Sequence, residues 1–424
     1  KEPPMKKVVT RGSSLEGLMP VLPGLAAFVG AELREFVATM GMLALQQLLE
    51  QERTSLAGPR GKHDADRTAT RFGYAQGELV LGGRRVRVKR PRVRGADGEI
   101  TLQTWEQFAS SDPLNERAME QVLAGVTMRK YARSLEPLAD DIETRGTSRS
   151  AVSRRFVAQT KKNSDEWMKR PLGEIDLVAM FIDGVHIDGH VMLVALGVDA
   201  TGRKHVLGMR EGATENTTSC KELLADLEVR GVRTDRAMLF IIDGAKALAS
   251  AVKRVFGARA LIQRCQVHKT RNVLEQLPDS MQNSVRQALR QAFATVEAGR
   301  AETMLKNLAR RLADDHPGAA SSLREGLEEL LTVKRLKLPR ALERTLSTTN
   351  AIENLMGSIR VLTNRVRRWK DGAMRERWTA TALIEASQKF RRLRGCDGMK
   401  TFVTALRARD GGTESTIESG VKAA

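Results

Sequence analysis

Three cysteines in 424 residues, Cys220, Cys265 and Cys396, are too few and too scattered for a disulfide framework. Such usage suits a reducing cytoplasm. No apolar run approaches the roughly 20 residues that span a bilayer, which excludes a membrane-crossing helix. The opening stretch, KEPPMKKVVTRGSSLEG, has charge but lacks the apolar centre of a signal peptide, and it starts on Lys1 as a trimmed chain would. Aromatic residues make up 4% of the chain, and they do not gather into an amphipathic helix of lipid-binding type. No internal repeat is present. Acidic residues are also short: 51 against 70 Lys and Arg leave a net charge of +19. That excess points to a polyanionic partner, and with no lipid-binding helix in sight nucleic acid is the expected one.

What remains is ample for globular cores. Hydrophobic residues are 41% of the chain, and the length exceeds one ordinary core, so several domains are expected. Residues 1–60 read as a helical N-terminal region, with 21–56 at helical spacing. Residues 61–110 change character: Gly, Pro and Asp punctuate them, and seven of the eleven residues from Arg84 to Arg94 are basic. Val86 and Val88 alternate there with Arg85, Arg87 and Lys89, which predicts a basic β-ribbon. It is either an edge strand defended by charge or a phosphate-contacting surface.

Residues 111–170 have the pattern of a helix-turn-helix. A first helix is expected around Val122–Ala139, a turn at Gly146-Thr147-Ser148, and a second helix capped by Ser148. Ala151, Val152 and Phe156 would face inward, and Arg149, Ser150, Ser153 and Arg154 outward, as on a helix that enters a DNA groove. From residue 171 strands appear, at 176–185, 190–199 and 203–210, joined by tight turns. A helix at 216–230, a strand at 237–243, a helix at 245–256 and a strand at 259–264 follow. The expected fold class is therefore α/β, a mixed sheet with helices on its faces. Between 269 and 346 only helical patterns occur, which reads as an all-helical insertion before 347–407. The polar tail, 408–424, is expected to be disordered.

Two acids stand out. Asp183 follows the apolar run Leu177-Val178-Ala179-Met180-Phe181-Ile182, and Asp243 follows a second such run, each with a glycine behind it. Both are expected at strand ends, on one edge of one sheet. Glu353, in TTNAIENL, is expected on a helix capped by Ser347 or Thr348 whose inner face is Ile352, Leu355, Met356 and Ile359. Taken singly, each acid is also an ordinary turn or helix-start residue. Three converging carboxylates would need cations, and hard oxygen ligands select Mg²⁺ or Mn²⁺. Two such ions about 3.5–4 Å apart drive phosphodiester cleavage and transfer. Cys265 and His268 stand at C-x-x-H spacing without a partner pair for structural zinc, so they are either a buried Cys with a bonded His or a group beside the scissile phosphate. Beyond Glu353, Arg367, Arg368 and Trp369 open a basic stretch suited to a DNA backbone and an unpaired base, whereas core packing suits Trp378.

The ordered motifs Asp183-Gly184, EGATENTTSCKELLADLEVRG, IIDGAKAL, RCQVHKTRN and TTNAIENL resemble bacterial insertion-sequence transposases of the Mutator-like family over roughly residues 60–395. The resemblance implies a ribonuclease H-like catalytic domain in two parts, 171–268 and 347–407, around the helical insertion. It implies a DDE triad, with Asp183 and Asp243 matching the family's aspartates and Glu353 its glutamate, two Mg²⁺ or Mn²⁺ ions, and Cys265 and His268 as the C-x-x-H signature. It further implies an N-terminal region that recognises terminal inverted repeats in double-stranded DNA, and a homodimer acting on paired ends. Asn354 follows the glutamate where many relatives have Arg, so no role passes to that position. A transposase-derived protein that binds DNA without cutting it is the alternative.

Overall fold

The computed structural model describes residues 33–62, 67–109, 112–135, 138, 142–212 and 217–421. The first part of the expected N-terminal helix, residues 21–32, therefore lies outside the described residues. The chain divides into two compact units, residues 1–159 and 160–424.

In the first unit, helix α1 (Leu33–Ala57) lies on a long hairpin of β1 (Ala69–Leu81) and β2 (Arg84–Gly95). Met42, Leu45, Leu49 and Ala57 of the helix bury against Ala69, Leu79, Val86, Val88 and Val93. Leu81 pairs with Arg84 across a two-residue turn, Gly82-Gly83, with φ of 56° and 84°. Both angles are positive, the condition for the hairpin turn that matches strand twist, and glycine adopts them without strain. A short strand β3 (Gly98–Ile100) extends the sheet beside β2, followed by helices α2 (Gln103–Ala109) and α3 (Asp112–Leu123).

The helix-turn-helix expectation needs correction. Helix α3 stops at Leu123, and Gly125 turns the chain at a φ of 102°. Tyr131 then buries in a single 3₁₀ turn and donates its hydroxyl to the Gly83 carbonyl at 2.7 Å. Thr144–Arg145 form strand β4, paired with Val86 and Arg85 of β2. The turn at Gly125 and the buried tyrosine thus interrupt the segment, Val122–Ala139, that local pattern assigned to a helix, of which residues 136–137 and 139 lie outside the described residues. The second helix is present as α4 (Arg149–Lys169), with Val152 and Phe156 buried and the Ala151 amide donating to Ser148 Oγ at 3.3 Å. The division between the two units falls within it.

The second unit is built on a five-stranded sheet of order β7-β6-β5-β8-β9. Strands β5 (Leu177–Ile187), β6 (His190–Asp199) and β7 (Lys204–Gly212) form an antiparallel meander. Strands β8 (Met238–Ile242) and β9 (Ala260–Arg264) add to β5 in parallel. Helices α5 (Thr217–Val229) and α6 (Lys246–Phe256) supply the crossovers, and their Leu223, Leu227, Leu248 and Val252 share one core with Met180, Ile182, Phe240 and Ile242. Strand β8 is buried along its whole length, which explains its unbroken apolar sequence.

From Gln266 to Leu346 the described residues are helical or turn: α7 (Gln266–Leu274), α8 (Asp279–Ala294), α9 (Ala298–Arg311), α10 (Pro317–Arg324), a 3₁₀ turn, α11 (Thr332–Arg335) and α12 (Arg340–Leu346). Their core, including Val273, Leu289, Leu305 and Leu323, is distinct from that of the sheet. The block is fastened to the edge strand β9. Buried Gln263 donates to the Leu330 carbonyl at 2.9 Å and accepts the Val333 amide at 2.9 Å, while Thr332 donates its hydroxyl to the Ile262 carbonyl at 2.6 Å. The exposed side of an edge strand is thereby covered. The chain then returns through α13 (Asn350–Thr363), packed against β5, and α14 (Gly372–Gln388), packed against β7. The expectation of a disordered tail from residue 408 is not met, because α15 (Met399–Val421) continues to Val421. Phe402 and Leu406 bury, and Asp410 accepts the Ala237 amide at 2.6 Å. Phe402 and Leu406 precede the expected tail; within it Asp410 fastens the helix, and residues 422–424 lie outside the described residues.

The β6–β7 turn is organised by Asp199, whose Oδ1 accepts the Thr201 and Arg203 amides and whose Oδ2 faces His205 Nε2 at 2.8 Å. Burial pushes this carboxyl up, but the hydrogen bonds from His205 and Thr201 and the two amides outweigh it and hold its pKa below the usual carboxylate range. A pKa depressed by folding contributes stability above the unfolded carboxylate's pKa and loses it as pH falls through the folded one. Asp199→Ala is expected to cost about 1–3 kcal/mol at neutral pH. Urea unfolding should show that deficit shrinking as the solution is acidified.

Candidate active site

Asp183 lies within β5, opposite Val194, and the strand runs on to Ile187 rather than ending at the carboxylate. The expectation of a strand end was wrong because the β5–β6 hairpin outruns its parallel neighbour: β8 pairs with Ala179–Phe181 and stops at Ile242. Asp183 therefore stands just past the last residue that β8 pairs. Asp243 directly follows β8. Asp183 Oδ1 accepts the Gly184 amide at 2.8 Å and Asp243 Oδ1 accepts the Ala245 amide at 2.9 Å, so backbone orients both. The two half-buried acids line one small crevice with Gly184, Leu193, Cys220, Ala245, Ala247 and Leu248.

Glu353 comes from the first turn of α13, whose Ile352, Leu355, Met356 and Ile359 are buried as the spacing predicts. The helix begins one or two residues later than expected. Thr349, not Ser347 or Thr348, holds the cap position. Thr349 is fully buried and donates its hydroxyl to Glu353 Oε1 at 2.6 Å. His268 Nδ1 lies 3.2 Å from the Thr349 hydroxyl and 3.9 Å from Glu353 Oε1.

Cys265 ends the β9 segment and caps α7. Its amide donates to the Ile242 carbonyl at 2.8 Å, and its Sγ accepts the amides of His268 at 3.5 Å and Thr349 at 3.4 Å. Burial pushes the thiol up, but the hydrogen bonds from His268 and Thr349 prevail and hold it below its ordinary value. The hydrogen bond to Cys265 raises the His268 pKa to about 8 against the cost of burial, with Cys265, Glu353 and Asp183 adding attraction. Asp183 thus acts electrostatically on the same imidazole that touches the Glu353 cluster.

Two groupings result. Asp183 and Asp243 share the crevice, and the Cys265 Sγ, a His268 ring nitrogen and a Glu353 oxygen lie within 4.8 Å of one another. Among the described residues the three acids do not gather at that spacing. Sequence reading missed Thr349. The signal was there, since Thr349 precedes Glu353 by one helical turn in TTNAIENL.

The remaining candidates fall in two groups, one in each unit. Arg367, Arg368 and Trp369 lie in the link between α13 and α14, the arginines exposed and the tryptophan half-buried, while Trp378 is buried. In the first unit Lys89, Arg149 and Arg154 are exposed, and Arg84, Arg85 and Ser153 are half-buried. The basic ribbon is partly neutralised: Arg87 pairs with Glu143, and Arg90 and Arg92 both with Glu99, each at 2.6 Å. Sequence alone did not show these long-range pairings.

The description "Transposase, Mutator family" matches residues 26–392. The transposase for insertion sequence element ISRM5 of Rhizobium meliloti is 28% identical over 345 residues, 79% of this chain and 82% of that relative. The transposase for IS6120 of Mycolicibacterium smegmatis is 31% identical over 51% of this chain and 68% of its own length. The transposase for IS256 in transposon Tn4001 of Staphylococcus aureus is 26% identical, covering 74% of this chain and 80% of its own.

Between Asp243 and α6 the chain passes through Gly244 at a φ of 120°, where an added Cβ would meet nothing closer than 3.6 Å. The constraint is therefore conformational, not steric. Gly244→Ala should destabilise the protein by about 1–3 kcal/mol, read from urea unfolding.

Proposed function

The chain belongs to the Mutator family of transposases, and on that premise we propose that it cuts and joins DNA at the ends of an insertion sequence with Asp183, Asp243 and Glu353 as cation ligands. The observation that carries this reading is the shared crevice of Asp183 and Asp243, two acids brought together from neighbouring parallel strands. The sheet order, an antiparallel meander followed by two parallel strands, fits a ribonuclease H-like domain. Residues 269–346 would then be a helical insertion between the second and third acids.

The donors suit Mg²⁺ or Mn²⁺. All three are carboxylates, all are half-buried and so reachable, and the two aspartates are oriented in advance by backbone amides. Two such ions supply the activation of a water or 3′-hydroxyl and the stabilisation of the leaving oxygen. The protein's own contribution is placement. Asp183 on β5 and Asp243 just past β8 would hold the ions from the sheet, and Glu353 would approach from α13. His268, whose pKa is raised first of all by its hydrogen bond to Cys265, would contact a phosphate oxygen beside them. Arg367 and Arg368 would neutralise backbone phosphates, and Trp369 would stack on an unpaired base. Arg84, Arg85, Arg87, Lys89, Arg149, Ser153 and Arg154 would bind terminal-repeat DNA, with two copies pairing two ends.

A labelled duplex ending in the element's own terminal repeat tests the chemistry. Wild type should cut at the repeat boundary in Mg²⁺, and Asp183→Ala, Asp243→Asn and Glu353→Gln should each lose on the order of 10²-fold or more in rate. Tight binding without cutting by any of the four proteins, in Mg²⁺ or Mn²⁺, would instead identify a DNA-binding relic. Arg154→Ala should weaken repeat binding and lower the salt-dependence slope by about one unit, measured by titration at several salt concentrations.

A further inference from the structure

We infer that Thr349 is a positioning residue for Glu353, and that Cys265 and His268 serve to hold Thr349 in place rather than to ligate a soft cation. The inference rests on the reading of Glu353 as a cation ligand.

A threonine at a helix cap ordinarily accepts an amide of the first turn through its hydroxyl. Thr349 makes no such bond, although it is fully buried. Its hydroxyl is turned instead to three other groups, lying 2.6 Å from Glu353 Oε1, 3.2 Å from His268 Nδ1 and 3.3 Å from Cys265 Sγ. A hydroxyl has one proton, and an ionised carboxylate can only accept. Of its two acceptors, Cys265 Sγ is weaker and farther at 3.3 Å, so the proton goes chiefly to Glu353, at a length typical of charge-assisted O–H···O⁻ bonds. This fixes Oε1 of a side chain that is otherwise 39% exposed, and leaves Oε2 for a cation.

The backbone of Thr349 is anchored as firmly. Its amide donates to Cys265 Sγ at 3.4 Å, and the Cys265 amide donates to the carbonyl of Ile242, the residue before Asp243. Gln266 donates its amide to the Ser347 carbonyl at 3.0 Å. The C-x-x-H pair thus links the end of the strand bearing Asp243 to the start of the helix bearing Glu353.

The competing reading is a thiophilic ion held by Cys265, His268 and Glu353, whose ligand atoms lie within 4.8 Å of one another. Such an ion needs bonds of roughly 2.0–2.3 Å to each ligand. The Thr349 hydroxyl, within 3.3 Å of all three, already takes up the space between them.

Two variants separate the hydroxyl from the methyl group. Thr349→Val keeps the shape and loses the hydroxyl, whereas Thr349→Ser keeps the hydroxyl and loses the methyl. The full chain would be titrated with Mn²⁺ by calorimetry, with thermal unfolding and repeat binding measured alongside. Thr349→Val should bind Mn²⁺ about 10-fold more weakly, the lower end for loss of a group that orients a ligand, and Thr349→Ser should match wild type. The reverse order, with Ser impaired and Val intact, would show a packing role and overturn the inference. Equal Mn²⁺ affinity in all three proteins would overturn it too. Glu353→Gln distinguishes the causes: if it also leaves Mn²⁺ affinity unchanged, Glu353 is no cation ligand and the reading beneath the inference has failed. Titration with Co²⁺ should give no sulfur-to-cobalt charge-transfer absorption. Such a band in wild type, abolished in Cys265→Ser, would assign the cluster to a soft cation.

Discussion

Negative charges placed at one end of a sheet repel, so the elements bearing them must be held by something other than their own attraction. Much of that holding passes through Cys265. Its amide bonds the end of β8, its sulfur receives the amide that starts α13, and its neighbour Gln266 bonds the Ser347 carbonyl beside that start. Three segments distant in sequence meet at one small buried side chain. A cysteine suits the position because it packs like a small hydrophobe while its sulfur accepts hydrogen bonds weakly enough to share several. The His268 ring and the Thr349 hydroxyl then add a polar layer between this knot and Glu353.

The same principle of fastening recurs where the helical block meets β9. Arg264, largely buried, pairs with Glu329 at 2.6 Å, and Gln263 bonds the block's backbone on both its donor and acceptor sides. Lys269, also buried, donates to the carbonyls of Ser322 at 2.6 Å and Glu325 at 3.0 Å, near the end of α10. Burial lowers its pKa, yet carbonyls at a helix C-terminus suit a cation. Each polar group taken from water here has a partner, so the block is joined to the sheet by specific bonds as well as by packing.

Most of the α/β sheet was legible in the sequence because its strands are buried and therefore unmistakably apolar. The runs at 177–182 and 238–242 needed only length and flanking glycines to be read. What escaped was everything decided by partners far along the chain. Asp183 looked like a strand end because the apolar run stops there, but the hairpin continues with β6 as its partner. Residues 144–145, read as lying between a helix and a turn, pair with β2, a strand some way upstream that local pattern does not reveal. The basic ribbon looked uniformly cationic until Glu99 and Glu143 came beside it. Thr349 escaped for a different reason: a threonine before a helix reads as a cap, and nothing local says that its hydroxyl is aimed elsewhere.

The order of the elements along the chain also sets an order in time. The meander β5–β6–β7 closes through short turns, and β8 and β9 follow through single helices, so Asp183 and Asp243 both belong to the part of the unit that precedes the helical block. Glu353 lies beyond the whole helical block, on a helix that packs against β5. Contacts across so long a loop form late. A chain cut short within the block carries Asp183 and Asp243 and lacks Glu353. If the three acids act together as proposed, completion of the site is tied to completion of the protein.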